Sequence, residues 1–270
     1  MEMWKCGNVK MWKYENVKVK TMICLPPIIT LPEATSSNTI AMSMAREESI
    51  QEGTIINVLH QTQGKGQGNH LWHSLASQNL TFSMILYPEF LSVSEQFMLS
   101  KTIAVAIASF VNSSIDNVYI KWPNDIYVNE KKISGILIEN LITGNKISCS
   151  IIGIGININQ VAFPKEIQNP TSLSLETKKE YNVNTLLLSL QKKLLHWYSL
   201  LKQEKYKIIS TSYHKRLLGK NEIGYFLKND SLFEAKLLCV DDKGFLHLNV
   251  HGKEQMYAVG EILYESKKKK

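Results

Sequence analysis

Between His60 and Trp72 the chain reads HQTQGKGQGNHLW, with Gly64, Gly66 and Gly68 set around Lys65 and Gln67. Glycine carries no Cβ, so the backbone of such a loop can come close to a ligand and present bare N–H groups to an anion. A second stretch, Lys121 to Glu139, reads KWPNDIYVNEKKISGILIE. Its lysine stands before Trp122, whose bulk calls for packing, and Pro123, whose ring fixes φ and biases Trp122 toward an extended backbone. Lys121 is therefore no loose surface charge. The GKG sequence is not followed by the lysine–serine or lysine–threonine pair of a P-loop, so the glycine loop is a different solution to phosphate binding.

The strand IIGIGININ, Ile151 to Asn159, supplies a third surface. Ile152, Ile154, Ile156 and Ile158 fall on one face, and Gly153, Gly155, Asn157 and Asn159 on the other. One side packs a core and the other is a floor of bare backbone and amides suited to a flat, uncharged, hydrogen-bonding ligand. The competing reading has another element crossing the strand closely, with the glycines as spacers. Ser36, Ser37 and Asn38 stand before TIAMSMAREE, which repeats apolar residues at helical spacing. Either serine can cap that helix, whose first-turn N–H groups then face the adjoining pocket.

The elements between these motifs follow from period. Thr54 to His60 reads as a strand entering the glycine loop, and Leu80, Phe82, Met84 and Leu86 alternate as in a half-buried strand. Ser92 and Glu95 have capping-box spacing ahead of an amphipathic helix marked by Leu99, Ile103, Ile107 and Phe110. Tyr119 opens a strand into the lysine box, and VNEKK from Val128 is a hairpin turn. Thr185 to His214 is helical, with Leu186, Leu190, Leu194 and Trp197 on one stripe. After Leu218 and Gly219 come short strands and the turn Asp241–Gly244, a module of roughly 45 residues too small to be robust alone.

A chain of 270 residues, 44% hydrophobic, has room for one large core and a small satellite domain. Domain limits are expected at 1–218, with 1–25 a variable extension, and at 219–266, followed by a basic tail. Cys6, Cys24, Cys149 and Cys239 show no pairwise spacing and no secretory segment opens the chain, so free thiols and a cytoplasmic location are expected. No apolar run approaches the roughly 18 residues that span a bilayer, and no membrane association is expected. Much of the formal charge of +7 is lysine, four of them at Lys267–Lys270, a solvated end. MWKCGNVK followed by MWKYENVK is an eight-residue repeat, read as an extension or a pair of edge strands. Too little chain precedes Ser36 for a helix-turn-helix, so no DNA partner is expected. His70 and His73 lack further partners for zinc. A basic nucleic-acid binder would explain the charge but neither motif.

Together SSN at Ser36–Asn38, the glycine loop, KWPNDIYV, KKISGILIE and GIGININ resemble the biotin protein ligases of the type without an N-terminal DNA-binding domain. The resemblance implies an α/β (α+β) catalytic domain of the class II aminoacyl-tRNA synthetase type, with a largely antiparallel mixed sheet and a small C-terminal SH3-like β-barrel. It implies a biotin–[acetyl-CoA-carboxylase] ligase that forms biotinyl-5′-AMP from biotin and ATP with Mg²⁺. The biotinyl group then passes to a lysine of the biotin carboxyl carrier protein of acetyl-CoA carboxylase. By the same likeness the biotin and adenylate contacts fall on Ser36, Ser37, Asn38, Gln61, Lys65, Gly66, Gln67, Gly68, Trp72, Gly135, Gly153, Gly155 and Asn157. The catalytic lysine falls on Lys121, where it would stabilise charge on the α-phosphate.

Asp125 has two readings, placing Mg²⁺ or substrate and holding the turn. Trp72 either packs over the adenylate or anchors the loop, which would close as a lid. The family's usual Ser-Thr-Asn is Ser36, Ser37, Asn38 here, which keeps the hydroxyl, and a loop glycine is replaced by Asn69, a residue that tolerates a left-handed turn. A homodimer through sheet edges is compatible with the resemblance. The enzymatic alternative is a lipoate or octanoate ligase, although the compact floor suits a ureido ring better than an aliphatic tunnel.

Overall fold

The computed structural model describes residues 3–6, 9–12, 25–47, 49–68 and 70–265. Asn69, the Lys267–Lys270 tail and parts of the N-terminal repeat lie outside them. Strands β1 (Met3–Cys6) and β2 (Val9–Trp12) pair antiparallel, Met3 opposite Trp12, as a two-stranded sheet of their own rather than on the edge of a larger one.

The main sheet is built from β3 (Ile28–Ala34), β4 (Ile55–Gln61), β5 (Leu80–Leu86), β6 (Val118–Lys121), β7 (Asp125–Val128), β8 (Lys131–Thr143) and β9 (Lys146–Ile156). Its order is β3-β4-β5-β9-β8-β7-β6, and only β3 and β4 run parallel. The sheet is thus mixed and antiparallel-rich. Strand β3 has no counterpart in the sequence reading because Pro32 interrupts it, and a proline is tolerated where the strand is at a sheet edge.

Both faces of this sheet are covered. Helix α1 (Ser37–Glu47) lays Ala41 on Ile56, Val58, Ile85 and Ile151. On the opposite face Ile152, Ile154 and Ile156 meet α2 (Gln96–Val111), whose Leu99, Ile103 and Ile107 are fully buried. Each such side chain contributes roughly 1.5–3 kcal/mol by leaving water. Strand β5 lies between these layers and every one of its residues is buried, which corrects the half-buried reading. Ahead of α2, Glu95 Oε2 accepts hydrogen bonds from the Ser92 amide at 3.2 Å and the Ser92 hydroxyl at 2.7 Å, as the capping-box spacing predicts.

After the short helix α3 (Leu173–Thr177), the predicted single helical stretch is two helices, α4 (Val183–Lys202) and α5 (Tyr206–Arg216). The chain turns between them at Glu204, which takes a positive φ of 55°. The buried stripe of α4 is Leu187, Leu190, Leu194, Tyr198 and Leu201, so Leu186 and Trp197 flank it instead of leading it.

Strands β10 (Ile223–Lys228), β11 (Ser231–Val240), β12 (Leu246–Val250), β13 (Lys253–Tyr257) and β14 (Leu263–Glu265) form a second antiparallel sheet, ordered β13-β12-β11-β10-β14. Its Phe226, Leu237, Val240 and Leu248 continue the apolar core that begins at α2. The turn after β11 is held by Asp241 Oδ1, which accepts from the Lys243 and Phe245 amides at 3.0 and 2.9 Å, while Gly244 takes φ +95°. Among the described residues no helix is long and apolar enough to cross a membrane.

Candidate functional site

The start of α1 is locked into the sheet by polar side chains. Gln61 at the end of β4 accepts the Ser37 amide at 2.7 Å, which occupies a helix N-terminal donor the sequence left facing the pocket. Ser83 of β5 donates to Asn38 Oδ1 at 2.5 Å and meets the Ser37 hydroxyl at 2.8 Å. Asn38 Nδ2 donates to Glu139 Oε2 at 2.7 Å. Asn38 is only 2% exposed, so this network is shielded from water and each partner matters more than it would at the surface.

The glycines of β9 lie under these groups. A Cβ on Gly153 would stand 2.9 Å from Asn38 Cγ, and one on Gly155 would stand 2.6 Å from Trp72 Nε1. Gly135 of β8 sits beneath the same indole, with a built Cβ 3.1 Å from Trp72 Cζ3. Both sequence readings of the glycine strand therefore meet: the floor is bare, and Asn38 and Trp72 cross it closely. Trp72 packs on the floor as well as ending the loop, and its buried Nε1 has no hydrogen-bond partner among the described residues.

The glycine loop folds back on itself. The Gly66 amide donates to His70 O and the Trp72 amide to Gly64 O, both at 2.8 Å. These two amides are taken, which departs from the expected row of bare N–H groups. Lys65 stays half exposed, its Nζ 4.0 Å from Glu139 Oε1.

Ser36, Ser37, Asn38, Gln61, Lys65, Gly66, Gln67, Trp72, Asp125, Gly135, Gly153 and Gly155 line one cavity of about 50 Å³. Gln67, Asn124, Ile136 and Leu137 are shared with a neighbouring groove of about 450 Å³ that reaches Pro123, Gln96 and the turn Lys243–Phe245. Three predicted site residues lie elsewhere. Gly68 lines neither space. Asn157 borders a separate cavity of about 90 Å³ behind Trp72, and its amide donates to Thr171 O at 2.9 Å, a loop-holding role.

Lys121, at the end of β6, also falls outside the cavity lining. Its ammonium lies 5.1 Å from the Tyr127 ring centroid, 5.8 Å from that of Tyr264 and 3.5 Å from the Tyr127 hydroxyl. Burial first, then the Asp125 and Glu265 carboxylates, push the Tyr127 phenol above its ordinary range and keep it neutral. The next residue, Trp122, is buried and donates its indole N–H to Gly244 O at 3.0 Å. The packing expected of Trp122 thus joins the lysine box to the second sheet. The Trp122–Pro123 peptide is cis.

Asp125 is the first residue of β7 rather than part of the turn, and its carboxylate pairs with Lys132 Nζ at 2.7 Å. The Lys132 ammonium in turn lies 5.9 Å from the Trp72 ring centroid. Among the described residues no group of three or more His, Cys, Asp or Glu side chains could hold a metal ion. Ser83, Glu139, Asn124 and Lys132 are the site-lining or site-holding residues that motif reading passed over. Three of them lie inside the quoted lysine-box segment, Asn124 in its turn and Lys132 and Glu139 on the strand that follows, so the signal was their polarity beside apolar residues.

The mixed α+β fold with its large antiparallel-rich sheet is shared with solved ligases. The chain superposes on the biotin protein ligase from Aquifex aeolicus in complex with biotin and ATP with a TM-score of 0.75, at 26% identity, covering 89% of this chain and 99% of that one. In sequence it is 31% identical over 223 residues to the bifunctional ligase/repressor BirA of Bacillus subtilis, covering 77% of this chain and 65% of the relative. It is 22% identical over 240 residues to the biotin–[acetyl-CoA-carboxylase] ligase of Mycobacterium tuberculosis, covering 85% of each. The profile of the biotin/lipoate A/B protein ligase family matches residues 31–157, so the chain carries a domain of that family.

Proposed function

We propose that the chain is a biotin–[acetyl-CoA-carboxylase] ligase acting in two steps. The biotin carboxylate attacks the α-phosphorus of ATP; a carboxyl-oxygen–phosphorus bond forms, the bond to the β-phosphate oxygen breaks and pyrophosphate leaves. A lysine amine of the biotin carboxyl carrier protein of acetyl-CoA carboxylase then attacks the acyl carbon, AMP leaves and the nitrogen sheds its proton to solvent. The observation that carries this reading is the adjacency of two spaces. A glycine-floored cavity rimmed by serine, asparagine and glutamine shares Gln67, Asn124, Ile136 and Leu137 with a groove of about 450 Å³. That groove is within the roughly 300–1,000 Å³ usual for small-molecule pockets.

In this reading Ser36, Ser37, Asn38 and Gln61 orient the biotin ring over Gly153 and Gly155, with Trp72 moving aside from the floor. The nucleotide takes the groove. Lys65, Gly66, Gln67 and Gly68 close over the adenylate and exclude water. Lys121 swings from its tyrosines to the developing charge on the α-phosphate, where one preorganised cation lowers the barrier without itself reacting. Mg²⁺ enters with ATP as Mg-ATP, and Asp125 acts by fixing Lys132 beside Trp72. The division at 218/219, the SH3-like character of the second sheet, a homodimer and a cytoplasmic location belong to the same proposal. Incubation with biotin, Mg-ATP and a carrier domain, read by intact mass, tests it. One biotinyl group on one lysine supports the reading, and exclusive transfer of octanoate or lipoate in parallel arms replaces it with the alternative.

A further inference from the structure

Lys101 occupies the middle of α2 with no exposed surface, in a helix whose other buried side chains, Thr102 apart, are apolar. An ammonium taken out of water needs full compensation from partners in good geometry. Lys101 finds it in the second sheet. Its Nζ donates to Val240 O at 3.2 Å and to Asp242 Oδ1 at 2.7 Å, and stands 5.7 Å from the Tyr213 ring centroid. The Ser210 hydroxyl of α5 donates to the same Asp242 oxygen at 3.1 Å. Burial works to raise the Asp242 carboxyl, but the Lys101 hydrogen bond and charge, with Ser210, overcome it and hold it below its ordinary range.

These contacts grip one end of the Val240–Phe245 turn. The other end is gripped by Trp122, whose indole N–H reaches Gly244 O at 3.0 Å, and by Phe97 of α2, which lies so close that a Cβ on Gly244 would stand 2.7 Å from its Cγ. Lys243, Gly244 and Phe245, at this second grip, line the large groove together with Asn124 and Leu137. An apolar residue at position 101 would satisfy the core of α2. The ammonium serves the turn.

We propose that Lys101 is a positioning residue for the nucleotide: through its buried ion pair with Asp242 it holds the Val240–Phe245 turn as the groove wall against which ATP binds. This rests on the ligase reading above. Lys101 touches no reacting atom, and it lies away from the serine–asparagine cavity, so its loss weakens ATP selectively.

The test is biotin-dependent ATP–pyrophosphate exchange with full-length Lys101→Met, whose side chain fills similar volume without the charge. In a variant folded by circular dichroism, KM for ATP rises about tenfold while KM for biotin stays within about twofold and kcat changes less than KM for ATP. Asp242→Asn, where the exposed partner is altered, shows the same split and serves alone if Lys101→Met does not fold. The double variant is no worse than the poorer single one, because both remove one interaction. Unchanged KM for ATP, equal rises for both substrates, or additive single effects overturn the proposal as a purely structural role. A wild-type chain without biotin-dependent exchange overturns the ligase reading itself, and the proposal with it.

Discussion

Gly153→Ala is the sharpest probe of the proposed biotin floor, since the added methyl meets a side chain that is already committed. The new Cβ would stand 2.9 Å from Asn38 Cγ and 3.0 Å from Asn38 Nδ2, where ordinary van der Waals contact begins at 3.4 Å. Asn38 must therefore retreat by about half an ångström or more, the gap between a hard overlap and normal contact. Its amide is held between Ser83 at 2.5 Å and Glu139 at 2.7 Å, so the retreat stretches at least one of those bonds. Overpacking costs about 1–3 kcal/mol, offset in part if β9 relaxes. With about 2 kcal/mol lost, the melting temperature falls by roughly 4–8 °C for a chain of this size.

Binding suffers separately. If the displaced Asn38 and its Ser37 neighbour lose one or two ligand hydrogen bonds at about 0.5–1.5 kcal/mol each, the Kd for biotin rises by a factor of roughly 2 to 150. Titration calorimetry with biotin alone, beside a thermal melt, reads both effects. A Gly153→Ala protein that melts within a degree of wild type and binds biotin within twofold would refute the close crossing of β9 by Asn38 and the placement of biotin there.

Four further outcomes follow from the structure. Lys121→Ala leaves a folded protein that binds biotin nearly as before, while adenylate formation slows by about 10² to 10³, the value of one well-placed charge; near-normal single-turnover formation at saturating substrates would sink the assignment. Lys121→Arg recovers only part of that rate, because a planar fork replaces a point charge. Gly66→Val places its branch against His70 O, 2.9 Å from a built Cβ, so the loop opens and adenylate leaks into solution, measured as a faster release of biotinyl-AMP from the purified complex. His214 is held below its ordinary pKa by burial first and by the Lys101 charge second, against its bonds to Ser210 O and Val240 O. The folded state prefers the neutral ring, so this group costs nothing above the unfolded value of about 6.5 and destabilises as pH falls through it toward the folded pKa. Thermal melts from pH 7.5 to 5 decline more steeply for wild type than for His214→Gln, and equal slopes would count against the assignment.

What the sequence made legible is what short-range chemistry writes. The strand into the glycine loop, the capping box before α2, the hairpin at Val128–Lys131, the turn at Asp241–Gly244 and the alternation of β9 are each set by neighbours a few residues apart. Their positions in the structure follow the periods read from the chain. Strand β5 was misread because alternation reports which residues face a core, not how many cores there are. With α1 on one face and α2 on the other, Ser83 and Thr81 are buried as fully as Phe82, and their hydroxyls turn inward to Asn38 and to Val58 O.

The candidate site divides along the same line. Most residues gathered by one motif, Gly68 of the glycine loop excepted, reach one cavity, because a loop or a strand end carries them there together. Lys121 and Asn157 belong to equally visible motifs, yet one rests on Tyr127 and Tyr264 and the other on Thr171 O, partners that spacing along the chain does not reveal. The contacts joining the two sheets are more remote still, Lys101 to Asp242 across 141 residues and Trp122 to Gly244 across 122. The bulk of Trp122 signals one half of that joint in the sequence, whereas a lysine inside an apolar helix stripe does not signal the other, because an amphipathic pattern tolerates a single charge. The meaning of that lysine comes from cost: a fully buried ammonium persists only where something beyond core packing holds it, and here what it holds is the wall of the groove.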